Sequence, residues 1–186
     1  MSLSRGGAKR YLAGQIIHRN YPMFAKIDVM LVHFICRGNV FRSIIAETYL
    51  RSLNIPNIRV ISSGTVASRY KDINATAYPE VLELLKKYGI EKYAKDHYGD
   101  DVTQTLLDTS DIVICLNKIV YDELRDTFKV PEKTYIWDVA DIDERGCVVE
   151  TETGRKAYMN DAYELIVKNI DTFVSERGST IYHTHP

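Results

Sequence analysis

Cysteine is scarce in this chain. Cys36, Cys115 and Cys147 are the only three among 186 residues. None forms a CxxC pair, which removes the usual signature of a zinc site or a dithiol redox centre. A sparse, odd count suits a reducing compartment, and a cytoplasmic protein is expected. Charge of one sign is also lacking. The formal net charge is -1, so the bulk composition calls for no nucleic-acid partner and no anionic membrane surface. No apolar run approaches the roughly 20 residues that cross a bilayer. The N-terminal stretch carries Arg5, Lys9, Arg10 and Arg19 without the unbroken apolar core of a secretory signal, since residues 13–17 are interrupted by Gly14 and Gln15. Internal repeats and low-complexity tracts are missing too.

What is there reads as one domain with a full core: hydrophobic residues make up 45% and charged residues 26%. Residues 1–26 are expected to be a peripheral extension holding a short helix over 8–18, residues 27–178 the domain, and residues 179–186 a tail. Residues 29–35 form a compact run rich in strand formers, as in a buried parallel strand. From Ser43, Ile44, Ile45, Thr48, Tyr49 and Leu53 recur at helical spacing, and 54–56 stop the helix. A second strand over 58–61 is closed by 62–65, and a loop runs to about Asn74. Ala77, Val81, Leu84, Leu85 and Tyr88 mark a helix ending at Gly89. A strand at 112–116, a helix through Val120, Leu124 and Phe128, and a strand at 134–137 follow. Tyr158, Ala162, Leu165, Ile166, Ile170, Phe173 and Val174 mark a long closing helix. Strands alternating with helices predict an α/β fold: a four-stranded parallel sheet with helices on both faces, binding ligand at the strands' carboxyl ends.

One such end carries Cys36-Arg37-Gly38-Asn39-Val40-Phe41-Arg42-Ser43, a Cys and an Arg separated by five residues between a strand and a helix. A tetrahedral anion needs many converging donors. The amides of a loop entering a helix supply them, with the helix dipole behind them. Gly38 permits backbone torsions that a side chain penalises. Arg42 offers a planar fork for two oxygens. The same field favours a thiolate at Cys36 at neutral pH, with Ser43 as donor to the sulfur and Asn39 as a brace. A nucleotide-binding loop of Walker type needs Gly-Lys-Ser/Thr here, and a dinucleotide fingerprint needs more glycines than the single one present. A core cysteine at a strand end is the bland alternative; the strand, the helix and the Gly-Asn and Arg-Ser pairs argue against coincidence.

The run from Ile35 to Glu47 resembles the signature of low-molecular-weight protein tyrosine phosphatases, Cys-x-Gly-Asn-x-Cys-Arg-Ser-Pro-x-Ala-Glu. Further matches follow in order. Ser62-Ser63-Gly64-Thr65 resembles the family's Ser-Ala-Gly-Thr. Gly89-Ile90 resembles its Gly-Ile. His97 with Val102-Thr103 resembles its His-x-x-Arg-x-Val/Leu-Thr, and 111–116 its next strand. The resemblance spans about residues 29–177. It implies a flavodoxin-like fold, no cofactor, no metal, and hydrolysis of phosphotyrosine on proteins through a phosphocysteine. It makes Cys36 the nucleophile and Arg42 the phosphate ligand. The loop Arg37, Gly38, Asn39, Val40, Phe41, Arg42 and Ser43 becomes the anion cradle, and Asn39, Ser43, Ser62 and His97 the network that holds it. Four departures stand out. Phe41 replaces the second loop cysteine, and Ile44 the proline after Arg-Ser. Arg37 fills a position that is usually apolar or small, at the pocket mouth. Asp100 and Asn117 take the places of an Arg and an Asp.

A leaving phenolate needs a proton, and a carboxylic acid is expected to give it and then activate water. The family keeps this acid in an Asp-Pro pair, which this chain lacks. Its Trp137-Asp138-Val139-Ala140-Asp141-Ile142 resembles the Trp-Asp-Ile/Val-Pro-Asp-Pro of bacterial members. That alignment puts Asp141 at the acid position, with Asp138 as the second candidate and a solvated acidic loop as the bland reading. His97 reads as a brace rather than a base, Cys115 as core, Cys147 as a loop residue, and His183 and His185 as part of the tail. Tyr70, or another residue between Val66 and Tyr70, is expected to wall the entrance. Three rival functions remain: a protein-arginine phosphatase, an arsenate reductase, which needs resolving cysteines, and a non-catalytic phosphate-binding module.

Overall fold

The chain builds a four-stranded, all-parallel sheet in the order β2-β1-β3-β4. The strands are β1 (Met30–Cys36), β2 (Ile58–Gly64), β3 (Ile112–Cys115) and β4 (Thr134–Ile136). The helices are α1 (Arg42–Ser52), α2 (Lys71–Lys87), α3 (Gln104–Thr109), α4 (Lys118–Thr127) and α5 (Glu152–Ile181). This computed structural model describes residues 29–142 and 151–181. The extension 1–26 with its expected helix, Cys147, His183 and His185 lie outside the described residues.

Helices cover both faces, because alternate residues of the central strands point opposite ways. Val32, Phe34 and Cys36 of β1 and Ile112 and Ile114 of β3 pack with Ile44 and Ile45 of α1, Val81 and Leu85 of α2, and Ile166 and Ile170 of α5. Ile35, Val113 and Cys115 face the other way, onto Leu107 of α3 and Val120 and Leu124 of α4. Burial on both faces is why β3 reads as an unbroken apolar run and β1 as an apolar run broken only by His33. It also pushes the Cys115 thiol up to about 12, since an anion there would have no solvent.

Helix ends follow local chemistry. After α1, Asn54 turns left-handed at φ 48. After α2, Gly89 does so at φ 71, and the Ile90 N–H returns to the Leu85 carbonyl at 3.0 Å. Several elements differ from expectation. Strand β2, expected to end at Ile61, runs on to Gly64 and pairs with β1 throughout. The loop expected to reach Asn74 is a 3₁₀ turn, Ala67–Tyr70, running straight into α2; its mostly exposed polar residues leave no apolar period to read. Helix α3 is six residues long, too short for a periodic signal, and starts at Thr103, whose Oγ1 accepts the Leu106 N–H at 3.2 Å. Helix α5 begins six residues before Tyr158 and turns Leu165 to solvent. Among the described residues no helix is long and apolar enough to cross a membrane.

The sheet order puts β1 between β2 and β3, so the chain leaves β1 at the point where strand order reverses. A crevice opens there, and the loop from Cys36 to α1 lies in it.

Candidate active site

Between Cys36 and Ser43 the backbone winds from a strand into a helix, with its carbonyls tied to the surroundings. Cys36 O accepts Thr65 N–H (3.0 Å), Arg37 O accepts Val66 N–H (3.1 Å), Asn39 O accepts Gly99 N–H (2.9 Å), and Phe41 O accepts Ile45 N–H (2.9 Å). In a trans peptide the N–H points opposite to its carbonyl. The amides of Arg37, Gly38, Val40 and Arg42 therefore point away from those neighbours. The end of β2 comes so close that a Cβ on Gly64 would collide with the Arg37 carbonyl and sit 2.9 Å from the Asn39 nitrogen.

Cys36 is buried, and its Sγ lies 3.0 Å from Ser43 Oγ while accepting the Asn39 N–H at 3.2 Å. Asn39 is held at φ 47, a left-handed conformation that asparagine tolerates better than most residues. Its Nδ2 donates to Ser43 Oγ (3.0 Å) and Ser62 Oγ (2.9 Å). Ser62 in turn donates to the buried Glu47 Oε2 at 2.6 Å, and Glu47 pairs with Arg51. The structure thus brings together Cys36, Asn39, Ser43 and Ser62.

His97, grouped with these by sequence, is placed differently. Its side chain is 58% exposed and meets Asp96 (2.8 Å) and Asp100 (2.9 Å), reaching the loop only through Asp100. The hydrogen bond with Asp96, and next the Asp100 charge, hold its imidazole above the usual range against some desolvation. The residue that touches Asn39 is Lys95, whose Nζ donates to Asn39 Oδ1 at 2.9 Å and to Asp100 Oδ2 at 2.6 Å. Burial opposes ionisation of Asp100, but the Lys95 ammonium and His97 outweigh it and hold the carboxyl below its ordinary range. Neither Lys95 nor Glu47 was singled out by sequence; Glu47 stood inside the quoted signature, whereas Lys95 matched no motif.

Opposite the loop lies the segment after β4. Trp137 N–H and Val139 N–H bond to Cys115 O and Leu116 O, both at 2.9 Å. Arg42 is almost fully buried; its Nη1 donates to Val139 O at 3.0 Å, and its Nη2 pairs with Asp141 Oδ2. The other carboxylate oxygen of Asp141 accepts the Ile142 N–H at 2.9 Å, a donor that proline at this position would lack. Tyr158 anchors the segment from α5, donating to Ala140 O at 3.0 Å. Asp138 is exposed and does not line the cleft.

Beside the loop is a cleft of about 340 Å³ whose lining includes Arg37, Val40, Phe41, Tyr70, Asp141 and Tyr158. Phe41 and Tyr158 pack with ring centres 5.5 Å apart. At the mouth, the Arg37 guanidinium sits 6.0 Å from the Tyr70 ring centre. Its Nε donates to Glu123 Oε1 at 2.9 Å, and Glu123 also receives the Thr65 hydroxyl.

A model of the low molecular weight phosphotyrosine protein phosphatase family matches residues 31–146. The chain belongs to that family. Solved structures of similar fold include Wzb from Vibrio vulnificus in complex with benzylphosphonate, 21% identical, covering 80% of this chain and 99% of the other, with a TM-score of 0.62. The low molecular weight protein tyrosine phosphatase SP-PTP from Streptococcus pyogenes is 20% identical, covers 84% and 99%, and has a TM-score of 0.61. The arginine phosphatase YwlE from Geobacillus stearothermophilus is 18% identical, covers 84% and 99%, and has a TM-score of 0.58. A search of curated proteins finds no significant match. Phosphatase-family membership gives the cysteine-containing loop its general meaning; the fold hosts both tyrosine and arginine phosphatases.

Proposed function

We propose that this chain hydrolyses phosphotyrosine on proteins, with Cys36 as nucleophile, Arg42 as phosphate ligand and Asp141 as general acid. The observation that carries the reading is the pairing of Arg42 with Asp141 over a loop whose cysteine accepts the Asn39 N–H and lies 3.0 Å from Ser43 Oγ in the first turn of α1. A phosphate-binding module needs the arginine but has no use for a carboxylate beside it.

The Cys36 thiolate attacks phosphorus in line, forming the S–P bond as the P–O bond to the tyrosine breaks. Arg42 and the loop amides stabilise the charge on the three equatorial oxygens. Asp141 protonates the departing phenolate, then takes a proton from water as the water's oxygen attacks phosphorus. The S–P bond breaks, inorganic phosphate leaves, and the thiolate is restored. The incoming dianion draws Arg42 away from Asp141; the freed carboxylate, now beside the dianion, takes up a proton from solvent and faces the leaving oxygen as the acid.

Aryl over guanidino substrate is supported by the cleft. Phe41, Tyr70 and Tyr158 suit a flat ring, and the Arg37 guanidinium at the mouth, although paired with Glu123, offers a second guanidinium only donors and like charge. Arsenate reduction draws no support from Cys115, which is fully buried in β3.

The test is a rapid-mixing assay with p-nitrophenyl phosphate, followed by turnover of matched phosphotyrosine and phosphoarginine peptides. A burst of p-nitrophenol that vanishes in Cys36→Ser, with phosphotyrosine preferred, is expected. Turnover by Cys36→Ser, or preference for phosphoarginine, would refute the corresponding half of the reading.

A further inference from the structure

Asn39 uses every polar group it has. Its N–H goes to Cys36 Sγ and its carbonyl receives Gly99 N–H. Its Nδ2 serves Ser43 and Ser62, and its Oδ1 receives Asp100 N–H at 3.0 Å and Lys95 Nζ at 2.9 Å. The two ends of this side-chain amide have opposite hydrogen-bonding character, so its orientation decides the direction of every bond beyond it. An ammonium has three hydrogens and no lone pair. Held against Oδ1, it forbids the flipped amide, which would set NH₂ against NH₃⁺. The Asp100 N–H acts in the same sense, but the bond from the ammonium is charge-assisted and roughly twice as strong.

The consequence runs along the chain of contacts. With Nδ2 facing Ser43, the serine oxygen accepts a hydrogen from Asn39 and keeps its own to give. The group in reach is Cys36 Sγ, at 3.0 Å. Ser62 behaves alike, accepting from Asn39 and donating to Glu47. A flipped amide would demand the Ser43 hydrogen for itself and leave the sulfur with one donor fewer.

We propose that Lys95 is a positioning residue: by holding Asn39 Oδ1 it sets the direction of the hydrogen bonds from Asn39 through Ser43 to Cys36, so that the sulfur receives two hydrogens and reacts as a thiolate. Lys95 suits this task. Its side chain is nine-tenths buried, its Nζ also lies 3.4 Å from Ser62 O, and Asp100 balances its charge. The inference rests on Cys36 being the nucleophile of the proposed reaction.

Two rates test it: alkylation of Cys36 by iodoacetamide at neutral pH, with inorganic phosphate as protectant, and kcat/KM for p-nitrophenyl phosphate. Both are measured for wild type, Lys95→Met, Lys95→Arg, Ser43→Ala and the double variant Lys95→Met/Ser43→Ala. Lys95→Met lowers both rates about tenfold, and Lys95→Arg restores most of the loss. In the Ser43→Ala background the Met substitution costs less than about twofold, because the path to the sulfur is already cut. An equal cost in both backgrounds, or an unchanged alkylation rate, overturns the proposal. Should Lys95→Met fail to fold, nuclear Overhauser contacts in the wild-type protein decide. Contacts from Asn39 Hδ2 to the Ser43 and Ser62 β-hydrogens are expected, and contacts from Hδ2 to the Lys95 ε-hydrogens overturn it. Cys36→Ser separates the two readings. If it retains turnover, the phosphatase mechanism fails; if it is inert while Lys95→Met matches wild type, the positioning role alone fails.

Discussion

The Asp141 carboxylate pairs with the Arg42 guanidinium although the two residues stand 99 positions apart in the chain. In the proposed mechanism the pair has two duties: Arg42 binds the phosphate, and Asp141 protonates the leaving oxygen. Before substrate arrives, the carboxylate competes with phosphate for the guanidinium.

Asp141→Asn therefore has two separable effects. Loss of the acid lowers kcat/KM, which reports the step that expels the leaving group, about 100-fold for phenyl phosphate, whose leaving group needs a proton. It costs markedly less for p-nitrophenyl phosphate, whose phenolate leaves unaided. Loss of the competing charge tightens inhibition by inorganic phosphate several-fold. Steady-state kinetics with a series of aryl phosphates, with phosphate as inhibitor, checks both. An equal loss of kcat/KM across leaving groups would deny Asp141 the acid role.

Arg37 stands at the cleft mouth between Glu123 and Tyr70. Replacing it by leucine removes a cation that repels a guanidinium but hardly touches a neutral ring. For Arg37→Leu, the ratio of kcat/KM for phosphotyrosine over phosphoarginine peptides falls by about fivefold or more. Competition between the two labelled peptides in one reaction measures the ratio directly.

Gly64 lies at the end of β2, against the loop. A methyl group there meets the Arg37 carbonyl, the Asn39 nitrogen and, at 3.1 Å, Ala67 Cβ. Backbone cannot yield as a flexible side chain does. Gly64→Ala loses about 1–3 kcal/mol of stability and more than about tenfold in kcat/KM, by displacing the amides that hold the phosphate in the proposed mechanism. Urea denaturation and p-nitrophenyl phosphate assays read the two losses.

His33 predicts how stability depends on pH. It is fully buried in β1, with Nε2 2.7 Å from Ser63 Oγ and Nδ1 3.3 Å from Ser110 Oγ. Ser110 gives its own hydrogen to Leu106 O, so Nδ1–H donates to Ser110 and Nε2 accepts from Ser63. Burial, with the Lys95 charge second, lowers this imidazole from 6.5 to about 4. The unfolded chain takes up the proton first, so stability is full above the unfolded value and falls as pH drops through that window. About 2 kcal/mol is lost between roughly pH 7.5 and pH 5. Urea denaturation at both pH values checks this, with His33→Gln expected to show the smaller difference.

The strand, loop and helix around Cys36 were legible because their chemistry is local. Residues 36–43 are contiguous, and burial on both faces of β1 writes itself as an apolar run. Helix α3 escaped because six residues hold no period, although its cap, Thr103, was in plain view. The start of α2 escaped because Lys71 and Asp72, which open it, are polar and exposed. His97 was drawn to the loop by a motif match, yet the ring ends up beside Asp96 and Asp100, and Lys95 makes the contact with Asn39 from 56 positions away.

By itself, the sequence determined the parallel α/β layout and the cradle at the end of β1, since strand burial, helix entry and an eight-residue loop all depend on neighbours in the chain. Only the tertiary structure decided that Asp141 meets Arg42, that Glu123 holds Arg37, and that Lys95 rather than His97 grips Asn39. Charge pairing and hydrogen-bond direction act over a few ångströms of space, and residue identity does not say which distant side chains will share it.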